Sequence, residues 1–80
     1  MQTDLFLKSK KEQLLEWLRY KKRAFTHEVI AWGLDHHTNR ADRDCRDLAQ
    51  EGYIKRMSAQ DKTLYYSGIK EEVWLYTGKI

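Results

Sequence analysis

The residues with the most chemical potential lie in the stretch TNRADRDCRDLAQEGYI, residues 38 to 54, where three arginines and three aspartates fall within eight positions. Arginine can donate two hydrogen bonds to guanine, and asparagine or glutamine can pair in a similar way with adenine. Opposite charges four residues apart on a helix can instead pair with each other. Three pairs have that spacing: Arg40 with Asp44, Asp42 with Arg46, and Arg43 with Asp47.

A helix of 3.6 residues per turn determines which of these side chains share a face. Its buried stripe would hold the small and apolar residues, and its opposite side the polar ones. An ion pair on a helix contributes about 0.2–0.5 kcal/mol, whereas a bidentate base contact gives about 1–3 kcal/mol of discrimination. The outward side therefore predicts contacts to base edges of double-stranded DNA. The candidate base-contacting residues are Asn39, Arg40, Arg43 and Arg46; the expected buried residues are Ala41, Cys45, Leu48 and Ala49.

Contacts to the DNA backbone would come from other polar residues, because phosphate contacts fix position without reading sequence. The candidates are Lys21, Lys22, Arg23, His37, Thr38, Lys55, Arg56 and Lys62. The net charge of the chain is +3, but residues 26–52 carry three arginines against six acidic residues. Acidic side chains near phosphates repel them, so the same pattern leaves open a helix that faces solvent or another protein.

Other kinds of site find no support in the sequence. One cysteine excludes an internal disulfide, and three histidines with one thiol do not show the spacing of a structural zinc site. There is no phosphate loop and no nucleophile turn, so no enzymatic activity, metal or cofactor is expected. The apolar run Leu5-Phe6-Leu7 is too short for a membrane span or a signal-peptide core. We therefore expect a cytoplasmic protein that does not bind a membrane.

Capping residues predict three helices. The expected N-caps are Ser9, Thr26 and Thr38, and the predicted helices span about 10–22, 27–34 and 38–51. Gly33 is expected to shorten the second helix by weakening its last turn. Gly52 suits the left-handed position that follows the third helix.

After Gly52 the hydrophobic period changes from helical to alternating. Residues 53–57 and 73–76 are predicted strands that pair around a long polar loop, which could include a short strand at 64–66. A tighter hairpin through residues 59–62 is the alternative. Trp74 and Tyr76 share one side of the last strand, and if exposed they would form a homodimer or protein-partner surface.

The order helix, helix, tight turn, helix, strand, loop, strand resembles the winged helix-turn-helix domain. FTHEVIAWGL, residues 25–34, resembles its second helix, and residues 38–56 resemble its third helix running into the first wing strand. The resemblance implies an α+β fold over residues 9–80, three helices followed by a β-hairpin wing, behind an N-terminal segment at 1–8. It also implies that the third helix enters the major groove while the wing and the end of the first helix touch backbone.

Two functional hypotheses follow. The chain is similar in its compactness to small phage or mobile-element regulators, which implies a DNA-binding regulator of transcription or replication. Winged helices also serve as protein-binding modules. The alternative is therefore an interaction adaptor with little nucleic-acid affinity, favoured by the acidic central segment and by the many aromatic residues.

Overall fold

A computed structural model describes residues 9–79 of the chain. The α+β class is confirmed, with four helices and one three-stranded antiparallel sheet among these residues. The predicted N-terminal segment, residues 1–8, lies outside the described range. The helices are α1 (Lys10–Lys21), α2 (Thr26–Asp35), α3 (Ala41–Gln50) and α4 (Ala59–Tyr65); the strands are β1 (Arg23–Phe25), β2 (Ile54–Arg56) and β3 (Val73–Tyr76).

The first helix begins with the predicted capping box. The Glu12 amide donates to Ser9 Oγ at 3.1 Å, and the Ser9 amide donates to Glu12 Oε1 at 2.9 Å. The helix ends at Lys21 because Lys22 takes a left-handed conformation, with φ of 72°. The chain then enters β1 directly at Arg23.

The sheet has β3 at its centre, in the order β1-β3-β2. The predicted pairing of the strands at 53–57 and 73–76 is confirmed. These strands are β2 and β3, and Ile54 lies opposite Tyr76. On the other side of β3, Ala24 lies opposite Trp74. These four side chains share the sheet face that packs against the helices, because directly opposed residues point to the same side.

This packing corrects the expectation of an exposed aromatic pair. Trp74 is 1% exposed and belongs to the hydrophobic core, and Tyr76 is half-buried against it. Trp74 is therefore not part of an exposed aromatic surface, and Tyr76 is exposed only in part. The core consists of Leu14, Leu18, Ala24, Val29, Trp32, Ala41, Cys45, Leu48, Ile54 and Trp74.

The connection between β2 and β3 holds a helix where a loop was predicted. Helix α4 starts at Ala59, where Ser58 Oγ accepts from the Asp61 amide at 3.1 Å. The suggested strand at 64–66 and the suggested tight hairpin through 59–62 are both wrong, because α4 occupies residues 59–65.

The second half of this connection is tied to the start of α2. Both oxygens of the Glu71 carboxylate contact His27, one at 2.7 Å from its amide and the other at 2.8 Å from its Nδ1. Thr26 was expected to cap α2, but it is the first helical residue, and its hydroxyl and amide donate to the Glu72 carbonyl. The end of the β2–β3 connection is therefore held against the start of α2 by the contacts of Glu71 and Glu72.

The contact between α2 and α3 depends on the absence of a side chain at Gly33. A Cβ placed there would lie 2.9 Å from the Thr38 carbonyl oxygen and 3.0 Å from the Ala41 Cβ. The Thr38 amide donates to the Gly33 carbonyl at 2.8 Å. The helix continues past Gly33 to Asp35. Gly33 is thus required for the close approach of α2 and α3, and the helix ends one residue beyond its predicted end at 34.

We predict that Gly33→Ala destabilises the protein by about 1–3 kcal/mol, the usual cost of overpacking a filled contact. Helix propensity alone predicts the opposite sign, a gain of about 1 kcal/mol. Urea denaturation decides between these signs. The reverse change, Ala31→Gly, lies at an exposed position of the same helix and should cost about 1 kcal/mol. It measures how much helix propensity alone changes the free energy of unfolding in α2. A Gly33→Ala variant more stable than the parent would show that α2 and α3 are not in close contact.

The Glu71–His27 contact predicts a pH dependence of stability. The hydrogen bond from His27 lowers the pKa of the Glu71 carboxyl below its ordinary value. The contribution of this contact to the free energy of unfolding is fully present above the pKa of an unfolded glutamate, about 4.3. It is lost as the pH falls through the lower pKa of Glu71 in the folded protein. Glu71→Gln should cost about 1 kcal/mol at neutral pH and little at acidic pH, as measured by urea denaturation at both. Asp61→Asn, which removes an exposed acid that forms no ion pair within residues 9–79, is the control. An equal cost at both pH values would contradict the assignment.

Candidate nucleic-acid interface

Helix α3 begins at Ala41 instead of at residue 38, as predicted, and it ends within one residue of its predicted end at 51. Thr38 does not cap it: the helix begins at Ala41, and Thr38 Oγ1 accepts from the Arg40 amide at 3.1 Å within the preceding turn. At the other end, Gly52 has a φ of 91°, and its amide donates to the Ala49 carbonyl at 3.0 Å. This is the left-handed C-terminal cap expected from the sequence.

The predicted faces of α3 are confirmed. Ala41, Cys45 and Leu48 are at most 3% exposed, and burial raises the pKa of the Cys45 thiol to about 12. The side chains that point away from the core are basic or amide-bearing, and the three aspartates are half-buried on the flanks between the two faces. The exposed side chains are Arg43, Arg46 and Gln50 on the helix and Asn39 and Arg40 just before it.

The aspartates neutralise this face only in part. Among residues 9–79, one of the three possible pairs forms: Arg46 Nη2 lies 3.4 Å from Asp42 Oδ2, with both side chains about half exposed. Arg40 and Arg43 make no ion pair with any residue in that range. Two guanidinium groups therefore remain available on the outward face, and the third is held by a weak pair.

The other two aspartates of α3 act toward α1. Lys11 contacts the Glu51 carboxylate, and this hydrogen bond raises the pKa of Lys11. The charges of Asp47 and Asp44 raise it further. These two carboxylates therefore lie on the flank that faces the start of α1, which leaves Asp42 as the acid that directly accompanies the outward arginines.

The turn before α3 presents two further candidates to solvent. Asn39 and Arg40 are exposed and border an open cleft of about 600 Å³ whose wall includes His37, a residue with φ of 59°. His36 lies inward, with its ring stacked on Trp32 at 4.1 Å and its Nδ1 2.8 Å from the Trp32 carbonyl. Of the two adjacent histidines, His37 is the one that a ligand can reach.

Four of the candidate backbone cations already hold partners within the fold. Lys21 pairs with Glu28 at 3.2 Å, and the Arg23 guanidinium contacts the Tyr66 hydroxyl. The other two, Arg56 and Lys62, hold the β2–β3 connection: Arg56 pairs with Glu72 at 3.4 Å and Lys62 Nζ donates to the Glu71 carbonyl at 3.1 Å. These contacts position the cations and leave each with fewer free donors for phosphate.

The remaining candidates are more open. Lys55 is exposed and forms no ion pair within residues 9–79, and Lys22 lies over the Tyr76 ring at 5.5 Å. Arg19, which was not among the predicted residues, donates from Nε to the Tyr76 hydroxyl at 3.2 Å. Only tertiary structure brings Arg19 and Lys22 to one tyrosine, so no local signal in the sequence could have found this group.

Within residues 9–79, no three histidine, cysteine, aspartate or glutamate side chains are placed to hold a metal ion. No helix in that range is both long and apolar enough to cross a membrane.

Comparison of the chain with protein-family models, with curated proteins and with solved structures finds no match. Its function is therefore inferred from the geometry of the described residues.

Asp42 predicts a measurable effect on DNA binding. Asp42→Asn removes an acid from the outward face and releases Arg46, so affinity for a random-sequence duplex at low salt should rise. The free energy of unfolding should fall by less than about 1.5 kcal/mol, the combined value of one exposed helix pair and of an acid in the first turn of a helix. Fluorescence anisotropy gives the affinity. Asp61→Asn makes the same charge change on α4, and an equal gain for both variants would mean that net charge alone controls binding.

Proposed function

We propose that this chain is a small DNA-binding protein of the winged helix-turn-helix type, a regulator of transcription or of a replication-associated process. The observation that carries the proposal is the outward face of α3 and its preceding turn. Asn39, Arg40, Arg43 and Arg46 project there from one short helical unit, away from a core that holds the opposite face.

The arrangement of elements supports the winged-helix assignment. Helices α2 and α3 are joined by a short turn, the supersecondary unit that places a second helix in the major groove. Strands β2 and β3 follow α3 and pair antiparallel, as the strands of a wing do in the proposed fold. Helix α4 lies within their connection, so the proposed wing is broader than the simple hairpin expected from the sequence.

In the proposed complex α3 lies in the major groove. Arg43 and Arg46 each offer two parallel donors to the O6 and N7 acceptors of guanine, and Asn39 can pair with adenine. His37 and Thr38, just before α3, would contact a phosphate, whereas Asp42 and Asp44 in the first turn offset the positive end of the helix dipole. Lys55, Arg56 and Lys62 would hold the wing against the sugar-phosphate backbone, and Lys21, Lys22 and Arg23 would do so at the end of α1.

The acidic flanks shape specificity in this proposal. Asp42 repels phosphates when the helix rests on the duplex without base contacts, which weakens non-specific binding. When an arginine binds guanine, the base contact of about 1–3 kcal/mol exceeds the 0.2–0.5 kcal/mol of the helix pair that it replaces. The aspartates therefore raise the ratio of specific to non-specific affinity.

The adaptor hypothesis loses part of its basis, because Trp74 is buried in the core. Its remaining support is the net acidic charge of residues 26–52 and the exposed aromatic side chains of Tyr20 and Tyr65. It predicts no measurable affinity for a duplex at any salt concentration, which separates it from the DNA-binding proposal.

The test is fluorescence anisotropy with a labelled random-sequence duplex at several salt concentrations, followed by selection of preferred sequences. The parent protein should bind with an affinity that falls steeply with salt. The double variant Arg43→Ala, Arg46→Ala should lose its sequence preference, at about 1–3 kcal/mol for each base contact.

A matched control removes two positive charges elsewhere. Lys10→Ala with Lys70→Ala changes two exposed lysines that are not among the candidates. This control should keep the preferred sequence of the parent protein. An unchanged preference in the arginine variant would overturn the assignment of α3 as the reading helix.

A further inference from the structure

The end of α1 carries the densest run of positive charge in the chain. Four of the five residues in RYKKR, residues 19–23, are basic and none is acidic. Lys21 is neutralised, since its Nζ lies 3.2 Å from Glu28 Oε2. Arg19, Lys22 and Arg23 form no ion pair within residues 9–79. Three cations therefore stand close together without a counter-charge from the described part of the chain.

Two of these cations are held at one tyrosine. The guanidinium carbon of Arg19 lies 5.8 Å from the centre of the Tyr76 ring, and its Nε donates to the Tyr76 hydroxyl at 3.2 Å. Lys22 Nζ lies 5.5 Å from the same ring centre. Like charges repel each other. Gathering two of them at one ring, with no carboxylate of residues 9–79 paired to either, favours an anion beside them.

The backbone at Lys22 supports this interpretation. Lys22 follows the last residue of α1 with a φ of 72°, a conformation for which glycine is the usual residue. Other residues occur in such conformations preferentially at functional sites. A glycine here would end the helix without strain but would leave the Tyr76 ring without its second cation.

Tyr20 adds an open aromatic ring beside the cations. Its side chain is 85% exposed, and its ring makes no aromatic or cation contact within residues 9–79. Consecutive residues of a helix point about 100° apart, so Tyr20 borders Arg19 without covering it. We name Arg19, Tyr20, Lys22 and Tyr76 the α1-end surface. It combines cations that lack a carboxylate partner with a free ring face.

This combination matches the chemistry of single-stranded nucleic acids. Proteins that bind them use cations along the phosphate backbone and aromatic rings on which unpaired bases stack. In a duplex the bases are already stacked on each other, so an exposed ring at a helix end has no base face to meet. An anionic membrane is a poorer match, because a membrane-bound helix needs a wide apolar face. Tyr20 is the one large apolar side chain of α1 that is exposed.

We propose that the α1-end surface binds single-stranded nucleic acid. Arg19 and Lys22 contact neighbouring phosphates of the strand, and Tyr20 stacks on a base next to them. Arg19 and Tyr20 are not among the residues proposed to hold duplex DNA, so this activity is separate from the base contacts of α3. Lys22 belongs to both proposals and is left unchanged in the tests.

The first test is fluorescence anisotropy of the full chain with a labelled oligothymidine of about 12 nucleotides, a length within the range that single-strand sites cover. The parent protein should bind it at low salt. Tyr20→Ala should weaken binding about tenfold, as expected for loss of one stacked base, whereas Tyr20→Phe, which keeps the ring, should bind like the parent. Tyr65→Ala, which removes an exposed tyrosine on α4, should have no effect. No binding by the parent, or equal binding by Tyr20→Ala, would overturn the proposal.

The second test examines the phosphate contact of Arg19. Arg19→Gln should lower affinity for the oligothymidine and reduce the slope of log affinity against log salt by about 0.7, the value of one phosphate contact on a single strand. Lys10→Gln makes the same charge change at the exposed start of α1 and should leave the slope unchanged. An equal reduction in both variants would mean that net charge alone attracts the strand.

Two further comparisons locate the strand on the protein. The double variant Arg43→Ala, Arg46→Ala should still bind the oligothymidine, even though it loses sequence preference on a duplex. If this variant loses single-strand binding, the strand lies on α3 and the present inference is wrong, while the duplex proposal is unaffected. Polyglutamate at equal charge should not displace the oligothymidine. Displacement would show that the α1-end surface binds acidic protein segments instead of nucleic acid.

Discussion

The close approach of α2 and α3 at Gly33 is the constraint on which the candidate site depends. The Thr38 carbonyl and the Ala41 methyl group lie where any side chain at Gly33 would be. This contact fixes where α3 begins, since the turn between the helices must pass over Gly33 before Ala41 can pack. The direction in which Arg43 and Arg46 project is therefore set by packing on the opposite side of their own helix.

Charge on α3 is organised by the same geometry. Because the buried residues of α3 form one stripe, the aspartates lie on its flanks. Asp44 and Asp47 raise the pKa of Lys11, and Asp42 is the one that pairs with an outward arginine among residues 9–79. The acids therefore do not simply neutralise the arginines: Asp42 restrains the Arg46 guanidinium, whereas Arg40 and Arg43 form no ion pair among residues 9–79. A helix of low net charge can in this way keep a basic face.

Features encoded by neighbouring residues were predictable from the sequence, and those encoded by distant contacts were not. The capping box at Ser9 and the buried stripe of α3 depend on residues within a few positions of each other. Strand β1 has only three residues and exists because β3 pairs with it. Ser58 followed by Asp61 fits an N-cap pattern that could have predicted α4. The burial of Trp74 and the partners of the backbone cations arise only when the sheet packs against the helices.

The most direct test of the account is an NMR titration of the ¹⁵N-labelled chain with a random-sequence duplex, followed by amide chemical shifts. The account predicts that the largest changes at low salt occur over residues 37–46 and at Lys55, and that α4 changes least. Absence of any shift, or changes centred on α4 with α3 unaffected, would contradict the central claim that α3 is a nucleic-acid-binding helix.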